Sequence, residues 1–261
     1  MKIAVSGDAQ LHYEHTLRPG APALLLINSL GTHLGMWDDQ FEALSSRYEL
    51  IRYDVRGHGK STAGSQAQVT LDQLANDAFA VLDACGVARA HVCGVSLGGM
   101  TAMQIARQSP DRVLKLVLSN TSTYMPTREV WQSRIDTALK DGLEPIVGGT
   151  MERWFTPEFR ASSPDKVARV REMFVATDPK GYAACCAAIR DMDLREKIGS
   201  ITAKTMVIAG LRDPGTTLEH AEHIHRKIAE SKLVTLDTAH MSNIERAEEY
   251  TKVLQEFLLT E

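Results

Sequence analysis

Residues 94–98 of this chain read Gly-Val-Ser-Leu-Gly, which fits the G-x-S-x-G pattern of a nucleophile elbow. Residues 90–93 before it favour a short buried strand, and residues 99–106 after it favour a helix. The pattern requires this context, because a tight turn between strand and helix lifts the serine hydroxyl above the end of a sheet. We expect a strained backbone at Ser96, with glycines beside it where side chains would clash. Ser96 is therefore predicted to be a nucleophile; the alternative is an idle serine in an ordinary turn.

Bulk composition is that of a globular protein with one large core. The 261 residues are 44% hydrophobic and 24% charged, with a formal net charge of −4. This balance argues against a basic nucleic-acid surface. The first residues hold too short an apolar run for a signal peptide, and no run approaches the roughly 18 apolar residues of a membrane span. The four cysteines have no disulfide-like spacing, so we expect a reduced, cytoplasmic protein that associates with neither nucleic acid nor membrane.

Strand-like and helix-like segments alternate along the chain. This alternation predicts an α/β fold with a mostly parallel central sheet flanked by helices. Strands are predicted at residues 11–15 (an early edge strand), 23–27, 49–53, 90–93, 113–118, 205–209 and 232–236. Helices are predicted at residues 37–44, 71–85, 99–106 and 243–259.

The pattern changes between the strand that ends near residue 119 and the strand that begins after residue 200. Strand-like runs disappear, and helical segments at residues 128–140, 167–176 and 181–191 are separated by prolines. We therefore predict a core made of residues 1–119 and 201–261, with residues 120–200 inserted as a helical cap, or lid, over the sheet.

A serine hydroxyl needs a base to take its proton, and that base must itself be oriented by an acid. In one known chain order, the acid follows a late strand and the histidine follows the next strand. Asp213 and His240 stand at these two places, and we predict them as acid and base. A turn aspartate and a loop histidine are the plainer alternatives. Asp237 is a rival acid that ranks lower, because it lies on the same loop as His240.

Acyl transfer also needs donors for a developing oxyanion. The backbone N–H of Leu97, directly after the nucleophile, is one expected donor. The second is expected from the loop that follows the strand at residues 23–27, where Leu30 is the candidate. An ordinary glycine-containing loop is the alternative for residues 28–32.

Several of these segments together resemble a known family. They are the Asn-Ser-Leu-Gly-Thr loop at residues 28–32, the Arg-Gly-His-Gly run at 56–59, the elbow, and the Ser-Asn-Ile-Glu-Arg-Ala run at 242–247. They resemble the α/β-hydrolase fold family, and most of all its 3-oxoadipate enol-lactonase branch, over nearly the whole chain. The elbow is shared by many hydrolases, whereas the runs at 28–32 and 242–247 are more specific. Many relatives carry His-Gly where this chain has Asn28 and Ser29.

The resemblance implies hydrolysis of a small enol-lactone in the breakdown of aromatic compounds, through an acyl-enzyme and without a metal or organic cofactor. Such a substrate bears a carboxylate, for which cationic side chains in the cap are candidates. The tentative substrate-binding residues lie beside the oxyanion loop or in the predicted cap: Ser29, His33, Trp131, Arg134, Arg153 and Trp154. For most of these, a solvated helix face or simple cap packing is the alternative.

Other functions of the same fold stay open at this stage. One is another carboxylesterase or a carbon–carbon bond hydrolase, since the three predicted catalytic residues do not separate these reactions. Another is a slow-turnover receptor for a small molecule. Dehalogenase and epoxide-hydrolase chemistry is disfavoured, because those relatives place aspartate where this chain has Ser96. The sequence leaves open whether the chain forms a homodimer.

Overall fold

A computed structural model describes residues 1–260, which contain one eight-stranded sheet. The strands are β1 (Lys2–Ser6), β2 (Ala9–Thr16), β3 (Ala23–Ile27), β4 (Glu49–Tyr53), β5 (Ala90–Val95), β6 (Val113–Ser119), β7 (Lys204–Gly210) and β8 (Lys232–Leu236). Their spatial order is β1-β2-β4-β3-β5-β6-β7-β8. Pairing is antiparallel for β1–β2 and β2–β4 and parallel for all other neighbours. The predicted α/β class is confirmed.

The helices within the same residues are α1 (Asp38–Leu44), α2 (Leu71–Ala84), α3 (Leu97–Gln108), α4 (Arg128–Asp141), α5 (Glu144–Trp154), α6 (Pro157–Ser162), α7 (Pro164–Val175), α8 (Pro179–Asp191), α9 (Leu218–Lys227), α10 (Ser242–Glu245) and α11 (Ala247–Leu259). Short 3₁₀ turns add Leu34–Trp37, Pro110–Arg112 and Ile198–Ser200. No helix in the described part of the chain is long and apolar enough to cross a membrane.

The central strands β3 and β5 are buried throughout because both of their faces are covered. All five residues of β3 and all six of β5 are buried. A continuous apolar run of this kind is typical of a parallel strand between two helical layers. The carboxyl ends of β3, β5, β6, β7 and β8 therefore meet at one edge, and the loops that leave them share that edge.

The first strand corrects one expectation. Residues 11–15 belong to β2, which pairs with both β1 and β4 and is not an edge strand. The edge is β1, in which only Ala4 is buried and the apolar run is short. Gly7, with a φ of +59°, provides the turn that folds β1 back onto β2.

Five helices, α4 to α8, lie between β6 and β7. Two of them, α5 and α6, were not predicted from helical periodicity. A proline stands in the first turn of each of α5, α6, α7 and α8. Proline suits that position, since its missing N–H has no partner there in any helix. The prolines of this segment thus begin helices rather than merely separating them.

Candidate active site

Ser96 lies in the turn between β5 and α3 with φ 57° and ψ −116°, a strained conformation for a residue with a side chain. Hydrogen bonds hold it there: Ser96 N–H donates to Ser119 O (3.0 Å), and Thr121 Oγ1 donates to Ser96 O (2.7 Å). A Cβ on Gly94 would come within 2.2 Å of Gly98, and one on Gly98 within 2.1 Å of the Ile27 carbonyl oxygen. The elbow glycines are therefore required by close backbone approach.

Asp213 and His240 are hydrogen-bonded to each other at the ends of β7 and β8. His240 Nδ1 donates to Asp213 Oδ2 at 2.7 Å, and both side chains are buried. Thr216 donates twice to the same carboxylate, from Oγ1 (2.6 Å) and from its backbone N–H (3.0 Å). Burial alone would raise the Asp213 pKa, but the charge and hydrogen bond of His240, with the Thr216 bonds, lower it to about 2. The carboxylate is thus ionised and faces the imidazole.

Asp237, the rival acid, is exposed and makes no hydrogen bond to His240. The structure therefore places Asp213, and not Asp237, where it can orient the histidine.

Ser96 and His240 are both nearly buried, with 9% and 7% of their surfaces exposed. The Ser96 hydroxyl has no hydrogen-bond partner among residues 1–260, so no bond joins it to His240 in this structure. Nucleophile and base are often loosely aligned without substrate and close up when it binds.

The two expected oxyanion donors lie in the loop after β3 and at the start of α3. Neither the Leu30 nor the Leu97 backbone N–H has an acceptor among the described residues, although both residues are buried. Buried backbone donors without a partner are rare in proteins. Because Gly98 abuts the Ile27 carbonyl, the two segments that carry these free donors lie against each other.

A column of aromatic rings covers His240 from the 120–200 segment. Trp154 of α5 stacks on the imidazole with ring centroids 6.0 Å apart and an interplanar angle of 28°. Phe174 of α7 meets Trp154 edge-on at 5.6 Å, and Tyr182 of α8 meets Phe174 in the same way at 5.4 Å. Of the two predicted tryptophans, Trp154 therefore contacts the site. Phe174 and Tyr182 were not predicted from the sequence as site residues.

Arg134 and Arg153 lie close to each other near the far end of this column. Arg134 Nη1 donates to the Tyr182 hydroxyl at 2.9 Å, and its guanidinium lies 5.4 Å from the centre of the Trp131 ring. Partial burial and the neighbouring Arg134 charge lower the pKa of Arg153. Neither arginine forms an ion pair with a carboxylate in residues 1–260. Two neighbouring cations without an anion form a place where an anion would be stabilised.

The remaining tentative residues are His33 and Ser29, both near the loop after β3. His33 Nδ1 accepts from Gly35 N–H at 3.0 Å and so caps the turn Leu34–Trp37, and burial lowers the His33 pKa. The Ser29 hydroxyl is buried and has no hydrogen-bond partner among the described residues. His33 is held beside the loop after β3, and Ser29 offers an unused hydroxyl within it.

Sequence reasoning missed Asn120, which follows β6 and connects the acid to the histidine loop. Its Nδ2 donates to Asp213 Oδ2 (3.1 Å) and to the Ala239 carbonyl (3.2 Å), and its Oδ1 accepts from Ser242 (2.8 Å). Its φ of +43° is one that asparagine adopts more readily than most residues. A polar residue directly after a buried parallel strand was the available signal.

Comparison with known proteins agrees with this geometry. The model of the alpha/beta hydrolase fold family matches residues 22–247. The chain belongs to the α/β-hydrolase family. Among its relatives, 3-oxoadipate enol-lactonase 1 of Acinetobacter baylyi is 34% identical over 91% of this chain and 89% of its own length. A second enol-lactonase of that organism is also 34% identical, over 95% and 92%.

Among solved structures, the enol-lactonase of Burkholderia xenovorans LB400 superposes on this α/β hydrolase with a TM-score of 0.96. It is 37% identical, and the match covers 99% of this chain and 100% of the other. The protein is therefore a hydrolase. No group of three or more histidine, cysteine or acidic side chains within residues 1–260 is arranged to hold a metal ion.

Proposed function

We propose that this hydrolase opens a small, carboxylate-bearing enol-lactone of the 3-oxoadipate type, by nucleophilic catalysis at Ser96. The observation that carries the proposal is a hydrogen-bonded Asp213–His240 pair and a strained Ser96 at the same edge of the sheet, in a chain 34% identical to two enol-lactonases. The relatives support the substrate class, and the geometry supports the reaction type.

In the proposed first half-reaction, Ser96 Oγ attacks the ring carbonyl while its proton passes to His240 Nε2. The Leu30 and Leu97 N–H groups stabilise the oxyanion, and Asp213 stabilises the imidazolium. The ring C–O bond then breaks, and the departing enolate takes the proton from His240. An enolate leaves more easily than an alkoxide, and the enol formed rearranges to a ketone.

In the second half-reaction, water attacks the acyl-serine and gives its proton to His240, which returns it to Ser96. The product is a carboxylic acid, and no atom of a cofactor takes part. We propose that residues 120–200 act as a cap over these steps, because α5 and α7 contribute the Trp154 and Phe174 rings that cover His240. A covered site keeps bulk water from the charged intermediates.

The substrate's free carboxylate is proposed to bind Arg134 and Arg153. Charge-assisted hydrogen bonds from guanidinium to carboxylate are among the stronger polar contacts in proteins. The Tyr182 bond fixes the direction of Arg134, so the cation is positioned before the ligand arrives.

All four cysteines of the chain are free thiols, which supports a reducing compartment such as the cytoplasm.

Steady-state kinetics on freshly generated 3-oxoadipate enol-lactone, beside a neutral aryl ester, tests the proposal. We expect a kcat/KM for the lactone at least about a hundredfold above that for the ester, since only the lactone offers both an enol leaving group and a carboxylate. Ser96→Ala is the matched control and should abolish both activities. Equal efficiency on the two substrates would contradict the lactone assignment, and a fully active Ser96→Ala would contradict the mechanism.

A further inference from the structure

The loop after β3 is held by two buried side chains that have no part in the mechanism above. We propose that Thr32 and His58 are positioning residues that aim the Leu30 N–H at the oxyanion. The inference rests on the proposed function, in which Leu30 is an oxyanion donor. Neither side chain is required to touch the substrate.

Thr32 fixes the peptide unit that carries the Leu30 N–H. The Ser29 carbonyl oxygen accepts from Thr32 Oγ1 at 2.8 Å and from the Thr32 backbone N–H at 3.2 Å. In a planar trans peptide the carbonyl and the following N–H point in opposite directions. Two bonds to the Ser29 oxygen therefore set the direction of the Leu30 N–H. Asn28 Nδ2 donates to the Thr32 carbonyl at 2.8 Å and closes the loop.

His58 fixes the next peptide unit. Its Nδ1 lies 3.0 Å from the Arg56 carbonyl oxygen and must donate to it, which leaves Nε2 as the acceptor for the Gly31 N–H at 2.9 Å. Only neutral imidazole can make both bonds. Burial lowers the His58 pKa and outweighs the Arg56 bond and the charges of Asp54 and Asp178, so the neutral form is favoured.

Gly31 is also confined from the cap side. Its φ is +74°, and a Cβ there would lie 2.5 Å from the Phe174 ring. The Gly31 peptide is thus held between an imidazole below and an aromatic ring above. With Thr32 acting on the preceding peptide, the Leu30 donor cannot rotate without breaking buried hydrogen bonds.

The first experiment compares matched variants at each position, with rates expressed per active site titrated by a fluorophosphonate. Thr32→Val keeps the shape and removes the hydroxyl, whereas Thr32→Ser keeps the hydroxyl. His58→Met fills the space without a strong acceptor, whereas the amide oxygen of His58→Gln can accept from Gly31. We expect kcat to fall about tenfold or more in the Val and Met variants, with KM little changed, and to recover largely in the Ser and Gln variants.

The second experiment measures inhibition by phenylboronic acid. The Ser96 oxygen forms a bond to boron, its proton passes to His240, and a boron oxygen occupies the oxyanion position. The inhibition constant should rise in Thr32→Val and His58→Met by the same factor as kcat/KM falls. A role in folding alone would lower the active-site titre while leaving the inhibition constant unchanged, and that result would overturn the inference.

The failure of this inference can be told from that of the proposed function. Wild-type kcat and inhibition in Thr32→Val and His58→Met, beside an inactive Ser96→Ala, would overturn the positioning role alone. A fully active Ser96→Ala would overturn the nucleophile assignment, and the positioning role with it.

Discussion

Asp213 receives five hydrogen bonds from the chain, more than any simple turn aspartate would need. The donors are the Asn120 amide, the Gly215 N–H, both donors of Thr216, and His240. Such a carboxylate is fixed in direction as well as in charge. Its function in the proposed mechanism is therefore to select the His240 tautomer in which Nδ1 is protonated and Nε2 is free to accept from Ser96.

Removing that charge while keeping the shape gives a direct prediction. Asp213→Asn should lower kcat about 10³- to 10⁴-fold, because an amide can hold the wrong histidine tautomer and cannot stabilise imidazolium. Steady-state kinetics measures the loss. Asp237→Asn is the control on the neighbouring loop and should stay within about twofold of wild type, as an exposed substitution usually does. A severe loss in Asp237→Asn beside an active Asp213→Asn would reverse the assignment of the acid.

The lowered Asp213 pKa predicts how the free energy of unfolding depends on pH. Its folded value of about 2 lies below the unfolded value near 4, so the carboxylate's contribution is complete above pH 4. That contribution is lost as the pH falls through 4 towards 2, since the unfolded chain then binds the proton more readily. The difference in unfolding free energy between wild type and Asp213→Asn should shrink by about 1 kcal/mol between pH 6 and pH 3.

Urea unfolding at each pH, followed by tryptophan fluorescence, measures this difference. The Asp237→Asn variant is the control for the acid treatment, because Asp237 is exposed and makes no hydrogen bond to His240. A difference that stays constant over the whole range would show that Asp213 is not held ionised by the fold.

At the scale of single residues the sequence predicts Ser96, Asp213 and His240, because each follows the carboxyl end of a recognisable strand. It does not predict Asn120, Thr216 or His58 as their supports. Asn120 and His58 act through partners that lie 93 and 27 positions away, which no local pattern reveals, whereas Thr216 acts on Asp213 only three positions before it. The predicted residues therefore each follow one recognisable strand, whereas Asn120 and His58 support residues that follow a different strand.

At the scale of elements, α8 meets the core through two glycines. Gly181 of α8 and Gly57 lie so close that a Cβ on either would come within 2.3 Å of the other's Cα. Backbone cannot move aside as a side chain can. The helix that carries Tyr182 is therefore seated on the 56–59 run by direct backbone contact.

This contact predicts that Gly181→Ala destabilises the protein by about 1–3 kcal/mol, because the added methyl must push two backbones apart. Gly148→Ala is a matched helical control on α5, where a Cβ would meet nothing within 4 Å. Alanine is the better helix former, so that variant should be neutral or more stable by up to about 1 kcal/mol. Thermal unfolding of both variants gives the comparison. A Gly181→Ala protein as stable as Gly148→Ala would show that the contact gives way easily.

The pattern of apolar residues along the chain predicts some strands and helices accurately and misses others. The strands β3 and β8 are predicted to the residue, although only β3 is buried throughout. The strand β1 is missed because it lies at the edge of the sheet and its apolar run, residues 3–5, is short. The predicted closing helix divides at Arg246 into α10 and α11, a break that no proline or glycine marks.

The whole molecule is negative, yet the proposed ligand is an anion. A formal net charge of −4 gives a weak general repulsion, which the local arrangement must overcome. Several exposed arginines of the described chain are paired with carboxylates, as Arg128 is with Asp191 at 2.6 Å. Arg134 and Arg153 are left without such partners, and they lie at the end of the aromatic column that leads to His240.

The preference for an anionic substrate over a neutral one should therefore depend on Arg134 and Arg153. Arg134→Gln should raise KM for the anionic enol-lactone about tenfold or more, because a charge-assisted hydrogen bond to carboxylate is lost. KM for a neutral aryl ester should stay unchanged, and kcat for both substrates should change little. Added salt should weaken lactone binding less in the variant than in wild type, since fewer charges are left to screen. Parallel kinetics on the two substrates at low and high salt measures all three effects.

Arg128→Gln provides the control on the same helix, α4. Arg128 is exposed and already paired with Asp191, so its loss should leave the preference for the lactone over the ester unchanged. An equal rise in KM for lactone and ester in Arg134→Gln would mean that the residue supports the cap through Tyr182 rather than recognising charge. Because Arg153 neighbours Arg134, the double variant should lose more than either single one for the lactone alone, and that asymmetry identifies the carboxylate as the group being bound.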